Sequence, residues 1–320
     1  MKSVLVVGGK GFIAYHLIKL LKERNYQVSV ATRKQSLEKE YLDCPLVYLD
    51  LANFSDERIS NVLETVEVVV FAGGADDRTM PTEPAASFFY KENVLPCVRL
   101  AEVGQLVGLE KLIILGSYFT YFNRMRPEWK MAEYHPYVRS RVLQQEDTIK
   151  AAGDRIKIEV LELPYIFGSS PEKTPLWKPL VKYIDTLPVI FYTKGGTAMI
   201  GVDEVAKSII GAIEYKGREG IWQISAENKS WTEMIQLISS ALGKKRKVIL
   251  VPTPIVRFFS WLTKAYFELS GKQSGLDIDR FITTQTNLTY METEESMRLL
   301  DYGRGDLKRS IEETVKGSGY

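Results

Sequence analysis

The residues with the clearest chemical meaning are glycines set between an apolar strand and a helix. Gly8-Gly9-Lys10-Gly11-Phe12-Ile13-Ala14 follows the apolar residues 4–7 and runs into residues 12–24, where Ile13, Leu17, Leu20 and Leu21 fall at helical spacing. Gly8 permits a tight turn and Gly11 lets the backbone approach a pyrophosphate. Ala14 is small enough for helix and strand to pack closely. The helix N-terminus adds unpaired N–H groups and a positive dipole, a combination that binds phosphate. A dinucleotide is the ligand this arrangement suits, with Gly8, Gly9, Lys10, Gly11, Phe12 and Ile13 as expected contacts.

The end of the second strand bears on which dinucleotide. NAD binders place an acid there to hold the ribose 2′-hydroxyl. This chain has Ala31-Thr32-Arg33-Lys34 and no acid. Arg33 is suited to clamp a 2′-phosphate bidentately, so the expected cofactor is NADP before NAD, with Arg33 and Lys34 as contacts. The alternative is a solvated pair of loop cations.

These groups need a scaffold, and the first half of the chain supplies one. Short apolar runs at 4–7, 27–31, 46–49, 66–71, 111–115 and 158–163 read as strands. Helical patterns at 12–24, 92–107 and 138–151 alternate with them. Alternation of this kind predicts an α/β fold, a Rossmann-type doubly wound parallel sheet with helices on both faces. After Gly168 the pattern changes. Ser169-Ser170-Pro171, Pro175, Pro179 and Pro188 mark an irregular excursion, then a helix at 202–215 and a strand at 220–225 return the chain to the sheet. Helices are expected at 231–242 and 254–269. The expected organisation is a dinucleotide-binding domain over 1–168, rejoined at about 202–226, and a smaller interleaved substrate lobe over 169–201 and 227–320.

Composition narrows the function classes. In 320 residues, 45% are hydrophobic and 26% charged, which suits a folded enzyme. The net charge of +2 and the scattered Lys and Arg build no nucleic-acid stripe. Cys44 and Cys97 form no CxxC pair, and His16 and His135 have no metal-ligand spacing, so no metal is expected. Met1-Lys2 before an apolar run has the outline of a signal peptide. Gly8 ends that run after four residues, too short for a signal core, and no stretch reaches the length of a membrane span. A cytoplasmic protein with a small-molecule substrate is expected, without nucleic acid or integral membrane segment, and with a homodimer as the candidate assembly.

The chain resembles the extended short-chain dehydrogenase/reductase family of nucleotide-sugar epimerases, dehydratases and related reductases. Gly8 to Ala14 is similar to the family's Gly-Gly-x-Gly-Phe-Ile-Gly, and Leu49-Asp50-Leu51 to its adenine-binding Asp. Phe71-Ala72-Gly73-Gly74 stands where a His-x-Ala-Ala run lines the cofactor. Asn93-Val94 resembles the Asn that props the central helix, Gly116-Ser117 the catalytic Ser, and Pro136-Tyr137-Val138-Arg139-Ser140-Arg141 the Tyr-x-x-x-Lys helix start. Gly201-Val202-Asp203-Glu204-Val205-Ala206 and Leu300-Asp301-Tyr302-Gly303 resemble C-terminal landmarks. The resemblance implies Tyr137 as general acid/base, Ser117 steadying the reacting oxygen, and Arg141 in the place of the Lys that binds ribose. It implies cofactor contacts at Asp50, Leu51, Ala72, Gly73, Gly74, Asn93, Tyr137, Arg141, Pro164 and Ile166. A spacing of four residues puts Tyr137 and Arg141 on one helix face. A cation about 5 Å from a phenol lowers its pKa by about two units at an effective dielectric of about 20. The same spacing at Tyr15 and Lys19 falls on the first helix, away from the fifth strand, and is a chance match.

Two departures shape the functional reading. Arg141 is forked and permanently charged, so it cannot relay a proton as Lys can. Thr197-Ala198-Met199-Ile200 fills the stretch where sugar-nucleotide enzymes usually carry a diphosphate-binding Arg. The leading expectation is therefore an NADP-dependent oxidoreductase or epimerase-type enzyme for a small carbonyl or alcohol. The rival is a non-catalytic NADP-binding sensor or scaffold. Trp177, Tyr183, Phe191 and Tyr192 of the excursion, with Phe258, Phe259, Trp261, Tyr266 and Phe267 of helix 254–269, suit an apolar substrate pocket. Core packing of that helix and a membrane-surface helix are the alternatives. Asp76-Asp77-Arg78, after the fourth strand, either orients a polar substrate group or caps the next helix.

Overall fold

The computed structural model describes residues 2–82 and 84–320, the Glu268 side chain excepted. Its strands are β1 (Ser3–Val7), β2 (Gln27–Thr32), β3 (Glu40–Tyr41), β4 (Cys44–Tyr48), β5 (Val68–Phe71), β6 (Lys111–Ser117), β7 (Lys157–Leu163), β8 (Tyr165–Phe167), β9 (Val189–Tyr192), β10 (Gly196–Gly201), β11 (Ile221–Gln223), β12 (Glu227–Ser230), β13 (Lys247–Leu250) and β14 (Leu288–Thr289). The large sheet runs β11-β7-β6-β5-β1-β2-β4-β3. Its pairings are parallel except for the edge pair of β3 with β4. From β1 the chain steps one way through β2 to β4, then returns past β1 to β5, β6 and β7. The order therefore reverses between β1 and β5, the switch point of a Rossmann-type sheet and the place where such sheets bind ligands.

The helices are α1 (Phe12–Glu23), α2 (Asp56–Leu63), α3 (Ala85–Phe89), α4 (Leu95–Val107), α5 (Tyr118–Met125), α6 (Met131–Tyr134), α7 (Pro136–Ala152), α8 (Lys178–Thr186), α9 (Val202–Glu214), α10 (Trp231–Ala241), α11 (Thr253–Leu269), α12 (Ile278–Gln285), α13 (Glu294–Leu299) and α14 (Leu307–Gly317). Strand residues alternate between two cores, as a two-residue repeat requires. Val4, Val6, Val68 and Val70 face Leu17 and Ile18 of α1 and Ile209 and Ile210 of α9. Leu5, Val7, Val69 and Phe71 face Ile59 of α2 and Cys97, Leu100 and Ala101 of α4. β10 pairs with β8, β12 and β14 in a second sheet, whose core holds Phe167, Met199, Trp231, Met234 and Ile235.

The expected strands and helices of the first half are present with shifted ends. The third strand begins earlier, at Cys44, and the fourth later, at Val68. The helix expected at 138–151 starts at Pro136, whose fixed φ suits the first helical position, so Tyr137 lies within its first turn. The helix expected at 92–107 opens with a π turn, Tyr90–Val94. The strand expected at 220–225 is β11, whereas α2, α5 and the other short strands of the C-terminal half, β9, β10, β12, β13 and β14, were not read from the sequence.

Candidate dinucleotide and catalytic site

Two pockets share Gly73 and Gly74 at the carboxyl edge of the large sheet. One, of about 620 Å³, is walled by Val7, Gly8, Arg33, Leu49, Asp50, Leu51, Phe71 and Glu92 among others. The second, of about 430 Å³, is walled by Gly11, Phe12, Ile13, Ala72, Asp76, Asp77, Ser117, Tyr137, Arg141, Pro164 and Ile166, with further residues from β8 and the segment 173–176. A larger, open cavity of about 1140 Å³ beside Lys2, Arg24 and Lys111 lies at the strands' amino ends, away from this chemistry.

The glycine loop fits a phosphate. Gly8 has φ +81°, and a Cβ there would lie 2.8 Å from Gly73 backbone, so only glycine allows the two loops to touch. α1 starts after Gly11 with no side-chain cap and no acid in its first turn, which leaves its N-terminal amides and dipole to an anion. Gly9 packs under the loop, where a Cβ would strike Val30. Lys10 turns away to pair with Glu38 and lies over the Tyr41 ring, so the structure does not bring it into either pocket. Lys34 is exposed and lines neither pocket.

Arg33 does line the first pocket, but it is not unopposed. Its Nη1 donates to both oxygens of Glu92, at 2.7 and 2.6 Å. The sequence reading found no acid at the end of β2. The structure corrects this by bringing one from the π turn, 59 residues along the chain. Asp50 sits in the same wall with its carboxylate engaged by the Ala52 amide at 3.1 Å and the Asn53 side chain at 2.9 Å.

Around the second pocket, Ser117 ends β6 and Tyr137 opens α7. Ser117, Tyr137 and Arg141 line this pocket together, and the Ser117 and Arg141 side chains both act to lower the Tyr137 phenol. Burial pushes the phenol up, the Arg141 charge opposes this, and Asp77 adds to the rise. The Arg141 guanidinium carbon lies 5.2 Å from the Tyr137 ring centre. Its Nη1 donates to Gln144 Oε1 at 2.9 Å, but its bonds to the Leu115 and Ala75 carbonyls are long, at 3.4 Å. Its Nε is buried and has no acceptor among the described residues. A guanidinium with its Nε unsatisfied, on the same pocket as a phosphate-ready helix end, fits a dinucleotide's ribose.

Asn93, buried in the π turn, ties this machinery together. Its Oδ1 accepts from Ala75 N at 2.8 Å and its Nδ2 donates to Ser140 Oγ at 3.1 Å. Its backbone carbonyl accepts from Gln144 Nε2 at 2.8 Å. Gly74, at φ +103°, makes room for it: a Cβ there would lie 2.5 Å from Asn93 Oδ1.

Other expectations are corrected. The next helix, α3, begins only at Ala85 with Pro84 at its N-cap, so Asp76 and Asp77 do not cap it. Asp76 instead accepts from the Arg78 amide, and Asp77 points its chemistry at the pocket. The aromatic residues of the excursion and of α11 do not line the pocket. Trp177 stacks on Phe167, Phe191 is exposed, and Phe258, Phe259, Trp261 and Tyr266 face outward. The walls come instead from Tyr118, Phe119, Tyr165 and the segment Lys173-Thr174-Pro175-Leu176. Thr197 is buried, and its hydroxyl bonds the Tyr118 hydroxyl at 3.1 Å. Glu92 and Lys173 carried no local signal: Glu92 meets Arg33 only when the fold brings the π turn to the end of β2, and Lys173 reaches its pocket from an irregular segment. Among the described residues no group of three or more His, Cys, Asp or Glu side chains could hold a metal ion.

Fold and site define a Rossmann-type dinucleotide-binding protein. A family model, the NAD dependent epimerase/dehydratase family, matches residues 4–196, and the chain belongs to that family. No curated protein sequence matches it. Among solved structures, gox2253 superposes with a TM-score of 0.79 at 15% identity, covering 99% of this chain and 97% of that one. UDP-N-acetylglucosamine 4-epimerase from Bacillus cereus gives 0.71 at 16%, covering 99% and 96%. UDP-glucuronic acid 4-epimerase from Bacillus cereus, in complex with UDP-glucuronic acid and NAD, gives 0.69 at 16%, covering 99% of each chain. At such identities the likeness is one of fold.

Proposed function

We propose that the protein is an NAD(P)-dependent oxidoreductase or epimerase-type enzyme acting on a compact alcohol or carbonyl. The observation that carries this reading is the convergence of Ser117, Tyr137 and Arg141 on one pocket with the uncapped start of α1. Gly8 to Ile13 would hold the pyrophosphate, Asp50 and Leu51 the adenosine side, and Arg141 the nicotinamide ribose. Hydride exchange at nicotinamide C4 is the chemistry the bound cofactor supplies. Tyr137 gives or takes the proton at the substrate oxygen, and Ser117 donates a hydrogen bond to that oxygen. Arg141 keeps a positive charge beside the phenol, which favours its ionised form.

Two features support a compact substrate. A pocket of about 430 Å³ must take nicotinamide and substrate together. The Thr197 hydroxyl is spent on Tyr118 and offers no cation to a diphosphate. The solved relatives include sugar-nucleotide enzymes holding NAD, so both the sugar and the cofactor questions have direct tests. For the cofactor, Arg33 supports NADP, but a 2′-phosphate must draw Arg33 away from Glu92.

The test is NADPH and NADH oxidation against a panel of aldehydes, ketones and enones, paired with calorimetric binding. Tyr137→Phe should lower turnover by about 10²–10⁴-fold with little change in cofactor affinity. Arg141→Lys should keep activity, and Arg141→Met should weaken binding. Glu92→Gln should strengthen NADP binding several-fold and leave NAD unchanged. Full activity in Tyr137→Phe overturns the catalytic assignment. Wild-type affinity for NAD equal to or above that for NADP overturns the cofactor preference. Thermal stabilisation by a UDP-hexose, with none by UDP, overturns the compact substrate. The Arg in place of Lys favours one other reading, a non-catalytic NADP sensor. In that case no variant has turnover to lose, and among the Tyr137 and Arg141 variants only Arg141→Met changes affinity.

A further inference from the structure

Helix α11 presents its apolar side to solvent. Ile255, Phe258, Phe259, Leu262, Tyr266 and Leu269 recur at helical spacing on one face, and all are exposed. Phe258, Phe259, Tyr266 and Leu269 are 58%, 61%, 68% and 90% accessible, values that exclude core packing. The opposite face meets the body of the protein, where Lys264 Nζ donates to Asp277 Oδ2 at 2.8 Å. The apolar surface continues into the strands before the helix. Ile249 of β13 sits in register with Phe191 of β9, and both are exposed, as is Leu250.

Charge distinguishes what covers this face. From Gly243 to Leu276 the sequence has seven basic residues and one acid, Glu268, in a chain whose net charge is only +2. The run Lys244-Lys245-Arg246-Lys247 leads directly into the exposed strand and helix. Lys244 and Arg246 are anchored on Asp185, while Lys245, Lys247, Arg257 and Lys272 are exposed. An aromatic and aliphatic stripe bordered by cations is the chemistry of a helix lying in the headgroup layer of an anionic bilayer. No helix of the described residues is long and apolar enough to cross a membrane. We propose that α11, with the tip of β13, docks the protein on an anionic lipid surface, with the helix parallel to the membrane plane.

The docking face is joined to the candidate active site. The chain leaving α11 passes against the start of α7, where the Tyr137 amide donates to the Gly275 carbonyl at 2.9 Å. Gln273 Oε1 accepts from the Ala85 amide at 2.9 Å. Tyr137 lines the second pocket, so the segment leaving α11 contacts one of that pocket's walls.

Co-sedimentation of the full chain with vesicles tests this. Vesicles of phosphatidylcholine with phosphatidylglycerol should pull the protein down, and phosphatidylcholine alone should do so at least about tenfold more weakly. Raising salt should weaken binding, since surface charges are screened. Phe258→Ser with Leu262→Ser, and separately Lys245→Glu with Lys247→Glu, should each reduce binding by about tenfold or more. Both pairs are exposed, so melting temperature and NADPH affinity should stay at wild-type values. No binding to anionic vesicles overturns the proposal, as does binding that neither pair alters. A wild-type dimer in light scattering that Phe258→Ser with Leu262→Ser splits, without vesicle binding, assigns the face to a second copy instead and also overturns it.

Discussion

Asp77 is the residue whose chemistry depends most on where the fold has put it. Burial pushes its carboxyl up to about 6, Asp76 adds to that, and Arg78 and Arg141 oppose it. It also faces the phenol, since its negative charge raises Tyr137. Asp77 therefore carries its proton in mild acid and loses it near neutrality, where it then makes Tyr137 harder to ionise. If Tyr137 is the base in the alcohol-oxidising direction, Asp77→Asn should ease that ionisation and move the ascending limb set by Tyr137 to lower pH. The limb near pH 6 should vanish. Profiles of kcat/KM from pH 5 to 10 for both proteins decide it; superimposable curves would remove Asp77 from the site's electrostatics.

At the scale of elements, the positioning of Tyr137 and Arg141 rests on the π turn Tyr90–Val94. A π turn frees backbone groups that an α-helix would use internally. Here the Asn93 carbonyl takes Gln144 Nε2, and Gln144 in turn holds Arg141. Asn93→Ala removes the side-chain bonds to Ala75 and Ser140 and leaves buried groups unpaired. The expected cost is about 1–3 kcal/mol in urea unfolding. Turnover should fall by a larger factor than cofactor affinity, since Tyr137 and Arg141 lose their register while the phosphate loop keeps its shape. Equal losses in both would mean that Asn93 acts on stability alone. The sequence carried the Asn but not its turn, because a π turn has no periodicity of its own. The buried strands were legible for the opposite reason: Val68 to Phe71 is apolar throughout because both faces of the sheet are covered. β12, Glu-Asn-Lys-Ser, was not legible, since it is held by pairing with β10 and not by its own side chains. Likewise the glycine loop is read locally, whereas Glu92 against Arg33 is a meeting that only the fold arranges.

The whole molecule carries two titrating groups of opposite sign, the buried His135 and the half-buried Asp77. His135 sits at the junction of α6 and α7, where its Nδ1 accepts from the Asp277 amide at 2.9 Å and so holds the neutral ring. Burial lowers its pKa from 6.5 to about 4, with Asp277 opposing. Its folded value is depressed, so its contribution to stability is present above pH 6.5 and is lost as pH falls through the window from 6.5 to 4. Asp77 works the other way. Its folded value is raised from 3.8 to about 6, so it contributes stability below 3.8 that is lost as pH rises to about 6. Each shift corresponds to about 3 kcal/mol, and the windows overlap between pH 4 and 6, so the contributions of these two groups to the wild-type slope oppose each other there. Separating the two exposes each. His135→Gln, with an amide oxygen to accept from the Asp277 amide, should gain stability relative to wild type as pH falls from 6.5 to 4. Asp77→Asn should lose stability over the same range, because the His135 slope is then unopposed. Urea midpoints at pH 7, 6, 5 and 4 for the three proteins measure this directly. Parallel curves would mean that neither group changes its protonation on unfolding within that range.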